Sequence, residues 1–211
     1  MKVNWPERLW VNSPIRRYVQ QQEGRFFRKM GSSFAPGGKC LEIGCGCGVG
    51  AKIINQSFAP TSIHALDIDV DMLKGAKKKR TSWKNVPLHL LAADAQELPF
   101  PDSCFDAVFN FGIIHHLENW QKGVTEIARV LKAGSLFFFE EIYPPLYANP
   151  LFVRILDHPR ENRFHGPEFR EALAASGLRI LDGYKESRFA ILGAAVKESE
   201  MSDMRMQAGQ V

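Results

Sequence analysis

The feature that most constrains the fold is a glycine-rich run that directly follows a short apolar segment. Residues 39–43 are mostly apolar around the acid Glu42, and glycine then occupies every second position from Gly44 to Gly50. Glycine has no Cβ and adopts positive φ without steric cost, so the backbone of such a loop can approach a bound molecule closely. A strand, a loop of this kind and then a helix are typical of a nucleotide-binding turn in an α/β protein.

Strand and helix patterns alternate from residue 39 onwards. The predicted strands are 39–43, 62–67, 87–92, 105–111 and a fifth from 136, and the helices between them are 49–58, 69–80 and 120–131. Nearly continuous apolar strands separated by amphipathic helices indicate a parallel sheet that is covered on both faces. A later helix begins at Pro167, and strands at 178–184 and 189–196 form a hairpin. We therefore predict an α/β fold with a doubly wound, mostly parallel seven-stranded sheet and a C-terminal antiparallel hairpin.

Composition and charge exclude several classes of protein. A content of 45% hydrophobic and 24% charged residues fits a globular protein rather than a disordered one. No apolar run approaches the ~20 residues that cross a bilayer, and the N-terminus lacks the apolar core of a secretory signal, so we expect a cytoplasmic protein. The net charge is +4, and we expect the basic cluster at 74–84 to be a solvated helix face rather than a nucleic-acid site. The cysteine spacing predicts no metal site.

Three acids stand where three of the predicted parallel strands end. They are Glu42, Asp67 and Asp94. The carboxyl ends of strands converge on the ligand crevice of a doubly wound sheet, and Asp67 follows the glycine loop by about the spacing at which such folds place a ribose-binding acid. Each acid could instead cap the helix that follows it.

Five ordered sequence blocks carry a resemblance to a known family. They lie at 41–48, 66–73, 93–106, 114–117 and 129–134. In this order they resemble the class I S-adenosylmethionine-dependent methyltransferases of the small-molecule type, which is similar to the ubiquinone and menaquinone C-methyltransferases. The resemblance implies S-adenosylmethionine as cofactor and S-adenosylhomocysteine as product. It also implies methyl transfer by in-line displacement to a small, hydrophobic or aromatic acceptor.

The same resemblance assigns the residues that bind the cofactor. Glycines of the loop would let the backbone run close to the methionine part of the cofactor. Asp67 would bind the ribose hydroxyls, and Ile68 would pack on the adenine. Asp94 would accept the adenine amine, and Ala95 would donate its backbone N–H to the ring. The full set that the resemblance implies is Glu42, Gly44, Gly46, Gly48, Asp67, Ile68, Asp94, Ala95, Asn110 and Phe111.

A catalytic base is needed only where the acceptor must lose a proton. The sequence leaves its identity open and offers His115, Tyr143 and His165 as candidates. The histidine and the tyrosine could equally be structural, and a lone loop histidine is usually solvated.

The chain of 211 residues is expected to form one methyltransferase domain, 1–211, with four segments. They are an N-terminal helical lid or substrate element at 1–30, a cofactor-binding core at 38–141, a substrate-side insertion at 142–170, and a C-terminal helix and hairpin at 171–197. Within the first segment, we expect Ile15, Val19, Phe26 and Phe27 to form an apolar stripe on a helix. A short helix is expected at 151–156 in the insertion.

Three other functions stay open. The first is methylation of a lipid at a membrane surface, for which Trp5, Trp10, Phe26 and Phe27, with arginines between them, would provide a peripheral contact. The second is a non-catalytic regulatory protein that binds the cofactor. The third is a dehydrogenase, because residues 46–51 fit the G-x-G-x-x-A dinucleotide pattern. The sequence indicates no oligomeric state.

Overall fold

The computed structural model describes residues 4–32, 37–80, 86–147 and 161–199. The helix expected at 151–156 lies outside these residues. The helices are α1 (Trp5–Val11), α2 (Pro14–Met30), α3 (Val49–Phe58), α4 (Val70–Lys79), α5 (Trp120–Val130), α6 (Pro144–Tyr147) and α7 (Gly166–Ala175). The strands are β1 (Lys39–Ile43), β2 (Ser62–Asp67), β3 (Leu88–Ala92), β4 (Phe105–Phe111), β5 (Leu131–Ile142), β6 (Leu178–Ile180), β7 (Lys185–Glu186) and β8 (Ala190–Lys197).

These strands form one sheet in the order β3-β2-β1-β4-β5-β8-β6, with β7 also paired to β8. The first five are parallel, and β8 runs antiparallel to β5 and to both of its short partners. The predicted α/β fold is confirmed, but among the described residues the sheet has eight strands rather than seven. The strand predicted at 178–184 stops at Ile180 because a turn at Gly183, with φ of +90°, separates β6 from β7.

The core lies on both faces of this sheet, as the alternation of side chains along β5 shows. Phe137 and Phe139 belong to the buried cluster beneath α5 and α7, whereas Phe138 belongs to the cluster beneath α2 and α3. Successive side chains of a strand point to opposite faces, so one run of three phenylalanines supplies both layers. The sheet is therefore held on both sides, with its strand ends free to form a site.

Two helices precede the sheet, and the second packs on it. Ser13 accepts a hydrogen bond from Arg16 N at 3.1 Å, and Pro14 follows it as the first residue of α2. Phe27 is fully buried, with its ring centroid 5.6 Å from that of Phe138. The predicted apolar stripe is wrong in part, because Ile15 is 63% exposed. The buried face of α2 instead consists of Glu23, Gly24 and Phe27.

The helix predicted to begin at Pro167 is α7, which begins one residue earlier, at Gly166. Gly166 and Pro167 form its first turn, and Gly177, with φ of +71°, follows its end. The basic residues described near the end of α4, from Lys77 to Arg80, are exposed as expected. Among the residues that the structure describes, no helix is long and apolar enough to cross a membrane.

Candidate functional site

A cavity of about 450 Å³ opens at the carboxyl ends of the parallel strands. Its floor consists of the loops that follow β1, β2, β3 and β4, and α1 and α2 form its opposite side. The loop residues that line it include Gly44, Cys45, Gly46, Cys47, Asp67, Ile68, Asp69, Ala93, Asp94, Ala95, Phe111, Gly112 and Ile113. The first two helices contribute Glu7, Trp10, Val11, Arg16, Val19, Gln20 and Glu23. The site is therefore assembled from the strand ends and from the N-terminal helices together.

The glycine loop leaves open space at one position. Gly44, Gly46 and Gly48 all have positive φ, at 64°, 50° and 78°. A Cβ added to Gly46 would meet no atom within 4 Å, although the residue lines the cavity. A Cβ on Gly48 would lie 3.1 Å from the Cβ of Ala76, so this glycine lets α4 pack closely and lies outside the cavity lining. Gly46 is the position where a ligand can approach the backbone.

The carboxylate of Asp67 ties the glycine loop to the start of α4. It accepts hydrogen bonds from Gly46 N at 2.7 Å and from Asp69 N at 2.8 Å, one on each oxygen. Burial raises the pKa of Asp67, and these two backbone donors oppose that effect. The side chain lines the cavity in a fixed orientation, with further lone pairs for hydroxyl donors.

The third loop places Asp94 and Ala95 in the same cavity. Asp94 accepts hydrogen bonds from the backbone N of Gln96 at 2.8 Å and from its side-chain amide at 3.1 Å. It thus stabilises the turn after β3, where no helix begins, and it also lines the cavity. Ile68 is 41% exposed beside it, with an apolar surface available to a flat ring.

Glu42 and Asn110 lie behind the cavity wall. Glu42 is buried with no hydrogen-bond partner for Oε2 among the described residues, and burial raises its pKa well above the usual range. Fully buried Asn110 donates to Glu141 Oε1 at 2.6 Å and accepts from Ile113 N at 3.0 Å. Neither side chain lines the cavity, so both support the loops whereas neighbouring Phe111 reaches the lining.

Of the three candidate bases, only His115 reaches the cavity. Its Nδ1 lies 2.6 Å from Glu141 Oε2, and the same carboxylate accepts from the backbone N of Ile114 at 2.7 Å. Tyr143 instead donates its hydroxyl to Glu186 Oε1 at 3.0 Å. Burial raises the pKa of Tyr143, and the hydrogen bond to Glu186 raises it too. His165 is an exposed residue that precedes α7.

The sequence analysis missed a charged cluster that the structure brings into the cavity. We call Arg16, Glu23 and Glu140 the Arg16 cluster; all three line the cavity and are largely buried. A local sequence pattern could have identified Glu140, because this acid follows the apolar run of β5 just as Glu42, Asp67 and Asp94 follow the apolar runs of β1, β2 and β3. Arg16 and Glu140 are 124 positions apart in sequence, so no local pattern joins them.

The lining is acidic. It includes six carboxylates, of Glu7, Glu23, Asp67, Asp69, Asp94 and Glu140, and Arg16 is the one lysine or arginine among the described lining residues. S-adenosylmethionine carries a sulfonium, an ammonium and a carboxylate, and is thus a net cation. Opposite charges attract more strongly at a protein site than in bulk water, so the acidic lining suits such a ligand better than an anion.

Known proteins match this chain in its central part. Residues 41–139 match the family described as "Methyltransferase domain". A fatty-acid O-methyltransferase of Mycolicibacterium smegmatis is 32% identical over 145 residues, which cover 69% of this chain and 45% of that protein. The phthiotriol/phenolphthiotriol dimycocerosates methyltransferase of Mycobacterium tuberculosis is 34% identical over 110 residues, which cover 51% of this chain and 39% of that protein. The chain thus spans less than half the length of these relatives.

Solved structures share the fold. A SAM-dependent methyltransferase from Aquifex aeolicus superposes with a TM-score of 0.71 at 18% identity, covering 92% of this chain and 99% of that one. Phosphoethanolamine N-methyltransferase 2 of Haemonchus contortus, solved in complex with S-adenosyl-L-methionine, gives a TM-score of 0.70 at 18% identity and covers 84% of this chain and 52% of that one. Residues 41–139 therefore resemble the methyltransferase domain family in sequence, and the fold around them is that of solved SAM-dependent methyltransferases.

Proposed function

We propose that this protein transfers a methyl group from S-adenosylmethionine to a small, apolar acceptor, leaving S-adenosylhomocysteine. The observation that carries the proposal is the open space at Gly46, which a Cβ would fill, within a cavity that Asp67 and Asp94 also line. The cofactor would supply an electrophilic methyl on a cationic sulfur, and the chain would supply orientation and electrostatics.

The position of each side chain in the cavity determines which part of the cofactor it would bind. Asp67 would bind the ribose hydroxyls, because its carboxylate is held in place by two backbone donors. Ile68, Asp94 and Ala95 would take the adenine on the far side of the same cavity. Gly44, Gly46 and Phe111 would border the methionine part. Glu42, Gly48 and Asn110 would act indirectly, since they support the loops from behind.

The acceptor would enter from the side that α1 and α2 form. Trp10, Val11 and Val19 line this side, and Ile142 of β5 and Leu146 of α6 also line the cavity. Apolar side chains beside charged ones suit a hydrophobic or aromatic molecule that carries a polar group. The relatives named above act, by their names, on a fatty acid and on phthiotriol or phenolphthiotriol dimycocerosates. We infer that the N-terminal helices are a lid, that methyl transfer is an in-line displacement, and that closure aligns acceptor, methyl and sulfur.

The direct test is turnover. The protein is incubated with S-adenosylmethionine and a panel of apolar carboxylic acids, phenols and amines, and S-adenosylhomocysteine is quantified by mass spectrometry. Formation of product with at least one acceptor, above the rate without acceptor, is expected. Tight cofactor binding without turnover across the whole panel would contradict the enzyme assignment and favour the non-catalytic alternative.

One observation favours a second candidate function, methylation of a lipid at a membrane surface. Five large apolar side chains of α1 and the start of α2 are more than half exposed: Trp5, Leu9, Trp10, Ile15 and Tyr18. Arg17 is exposed among them, and the acid of α1, Glu7, is buried. An apolar face with exposed positive charge is complementary to the interface of an anionic bilayer.

Vesicle sedimentation tests this second function. Binding to vesicles that contain anionic phosphatidylserine is expected at low salt, weaker binding at high salt, and weaker binding still after Leu9→Ser. Leu91→Ser is the matched control, since Leu91 is also exposed but lies on β3. An equal loss of vesicle binding in both variants, or no vesicle binding by the wild-type protein at low salt, would contradict a membrane-surface function.

A further inference from the structure

The Arg16 cluster is a buried carboxylate pair joined through one guanidinium. Arg16 Nη1 donates to Glu23 Oε1 at 2.5 Å, and Nη2 donates both to Glu140 Oε2 and to the backbone oxygen of Phe111, each at 3.1 Å. Gly112 makes room for the cluster, because a Cβ there would lie 2.6 Å from Glu140 Oε2. Helix α2 and strand β5 thus meet at this point of the cavity.

Glu23 has an oxygen that no other described residue satisfies. The residue is 6% exposed, and Oε2 has no hydrogen-bond partner among the described residues. A buried polar atom without a partner costs about 1–3 kcal/mol, and because Glu23 lines the cavity, a ligand bound there can supply the missing donor. A ligand that brings an O–H to this oxygen would remove that cost.

We propose that Glu23 is the catalytic base for a hydroxyl-bearing acceptor, with Arg16 and Glu140 as the residues that position it. The inference rests on the proposed methyl transfer and names its acceptor class, an alcohol or a phenol rather than a carboxylate. A carboxylate acceptor would bring a further negative charge to two buried acids that share one guanidinium, and it has no proton to give.

The charged groups around Glu23 bear on its role as a base. Glu140 faces it across Arg16, and Glu141, which His115 holds, lies beside Glu140 in β5. Burial, then repulsion from Glu23, raises the pKa of Glu140 to about 8, although Arg16 opposes both. Burial also raises the pKa of Glu23, whereas the charge and the hydrogen bond of the Arg16 guanidinium favour its carboxylate form.

The transfer balances with these groups alone and the methyl donor. The acceptor hydroxyl gives its proton to Glu23 Oε2, and the oxygen lone pair forms the new bond to the methyl carbon. The carbon–sulfur bond breaks with its electron pair on sulfur, which becomes a neutral thioether. The proton then leaves Glu23 for solvent when the cavity opens, and the base is restored.

The experiment compares two acceptors of the same shape, para-octylphenol and para-octylbenzoate. With Glu23→Gln we expect methylation of the phenol to fall at least about 100-fold, the size of a lost general base. Methylation of the benzoate should stay or increase, because the amide no longer repels the anion. Glu171→Gln makes the same chemical change at an exposed position of α7 and should alter neither rate.

A purely structural role for Glu23 predicts something else, an equal fall with both acceptors. That result would overturn the inference, as would a wild-type protein that methylates the benzoate and not the phenol, or neither acceptor. Glu140→Gln provides a second readout: it should shift the pH dependence of phenol methylation, and an unchanged profile would remove Glu140 from the mechanism. S-adenosylmethionine affinity is measured alongside in every variant. Absence of cofactor binding in the wild type would defeat the proposed function instead.

Discussion

The Asp67 carboxylate holds the glycine loop in place and also faces the cavity. Asp67→Ala is expected to weaken S-adenosylmethionine binding about 10- to 100-fold, because charge-assisted hydrogen bonds contribute about 1.5–3 kcal/mol. Calorimetric titration measures the effect. Asp182→Ala, at an exposed residue of the turn between β6 and β7, is the control. Unchanged affinity in Asp67→Ala would refute its assignment.

Gly46 and Gly134 provide a matched pair for the loop. Both have positive φ, and a Cβ on either would meet no atom within 4 Å. Valine at either position should therefore lower the unfolding free energy similarly, by about 1–2 kcal/mol. Cofactor binding should be lost in Gly46→Val alone, because only Gly46 lines the cavity. Equal binding in the two variants, measured by calorimetry, would show that no ligand approaches Gly46.

How far single residues could be predicted depends on how local their signal is. Asp67 and Gly46 belong to motifs in which a strand end, a loop and the next helix are contiguous, so the sequence carried their position. Arg16 and Glu23 became visible only when the fold brought α2 to β5. Asn110 was expected at the cofactor, yet its side chain is engaged with the buried Glu141. Hydrogen bonds of this kind are set by tertiary contacts that a local pattern does not record.

At the level of elements, the contact of α2 with α3 makes a prediction of its own. A Cβ on Gly24 would overlap the Cγ2 of Ile53. In an exposed helix, Gly→Ala stabilises by about 1 kcal/mol. Here we expect Gly24→Ala to destabilise by about 1–3 kcal/mol, because overpacking outweighs the gain in helix propensity. Urea unfolding followed by circular dichroism measures the sign. Gln21→Ala, on the exposed side of α2, should be near neutral, and a stabilised Gly24→Ala would show that α2 does not dock on α3.

Elements with strong periodicity were predictable to the residue, as β1, α3, β2 and β4 show. Their apolar runs are bounded by glycine, proline or an acid, so local signals fix both ends. The buried face of α2 was not predictable in this way, because a glycine and a glutamate occupy it while Ile15 is exposed. Close helix approach and a buried ion pair decide that face, and hydrophobic periodicity reports neither.

For the whole molecule, burial of acids near the cavity predicts a pH-dependent stability. Burial raises the pKa values of Glu23, Glu42, Asp67 and Glu140. The folded protein therefore binds more protons than the unfolded chain between about pH 4.5 and about pH 8, and the unfolding free energy falls as pH rises through that window. Denaturation midpoints at about pH 5 and about pH 8 should differ accordingly in the ligand-free protein.

Glu140→Gln isolates one contribution to that slope. Its pKa is raised to about 8, so removing it should flatten the dependence most in the upper part of the window. Glu171→Gln, at an exposed site, should leave the slope as it is. A protein that gained stability between about pH 5 and about pH 8 would contradict the burial of these carboxylates.

The central claim is that the cavity between the strand ends and the N-terminal helices binds S-adenosylmethionine. Calorimetric titration of the wild-type protein with S-adenosylmethionine, S-adenosylhomocysteine and NAD⁺, side by side, tests it most directly. Micromolar binding of the first two and none of NAD⁺ is the predicted result. Binding of NAD⁺ alone would contradict the account, since the glycine loop would then serve a dinucleotide and each assigned contact in the cavity would have to be replaced.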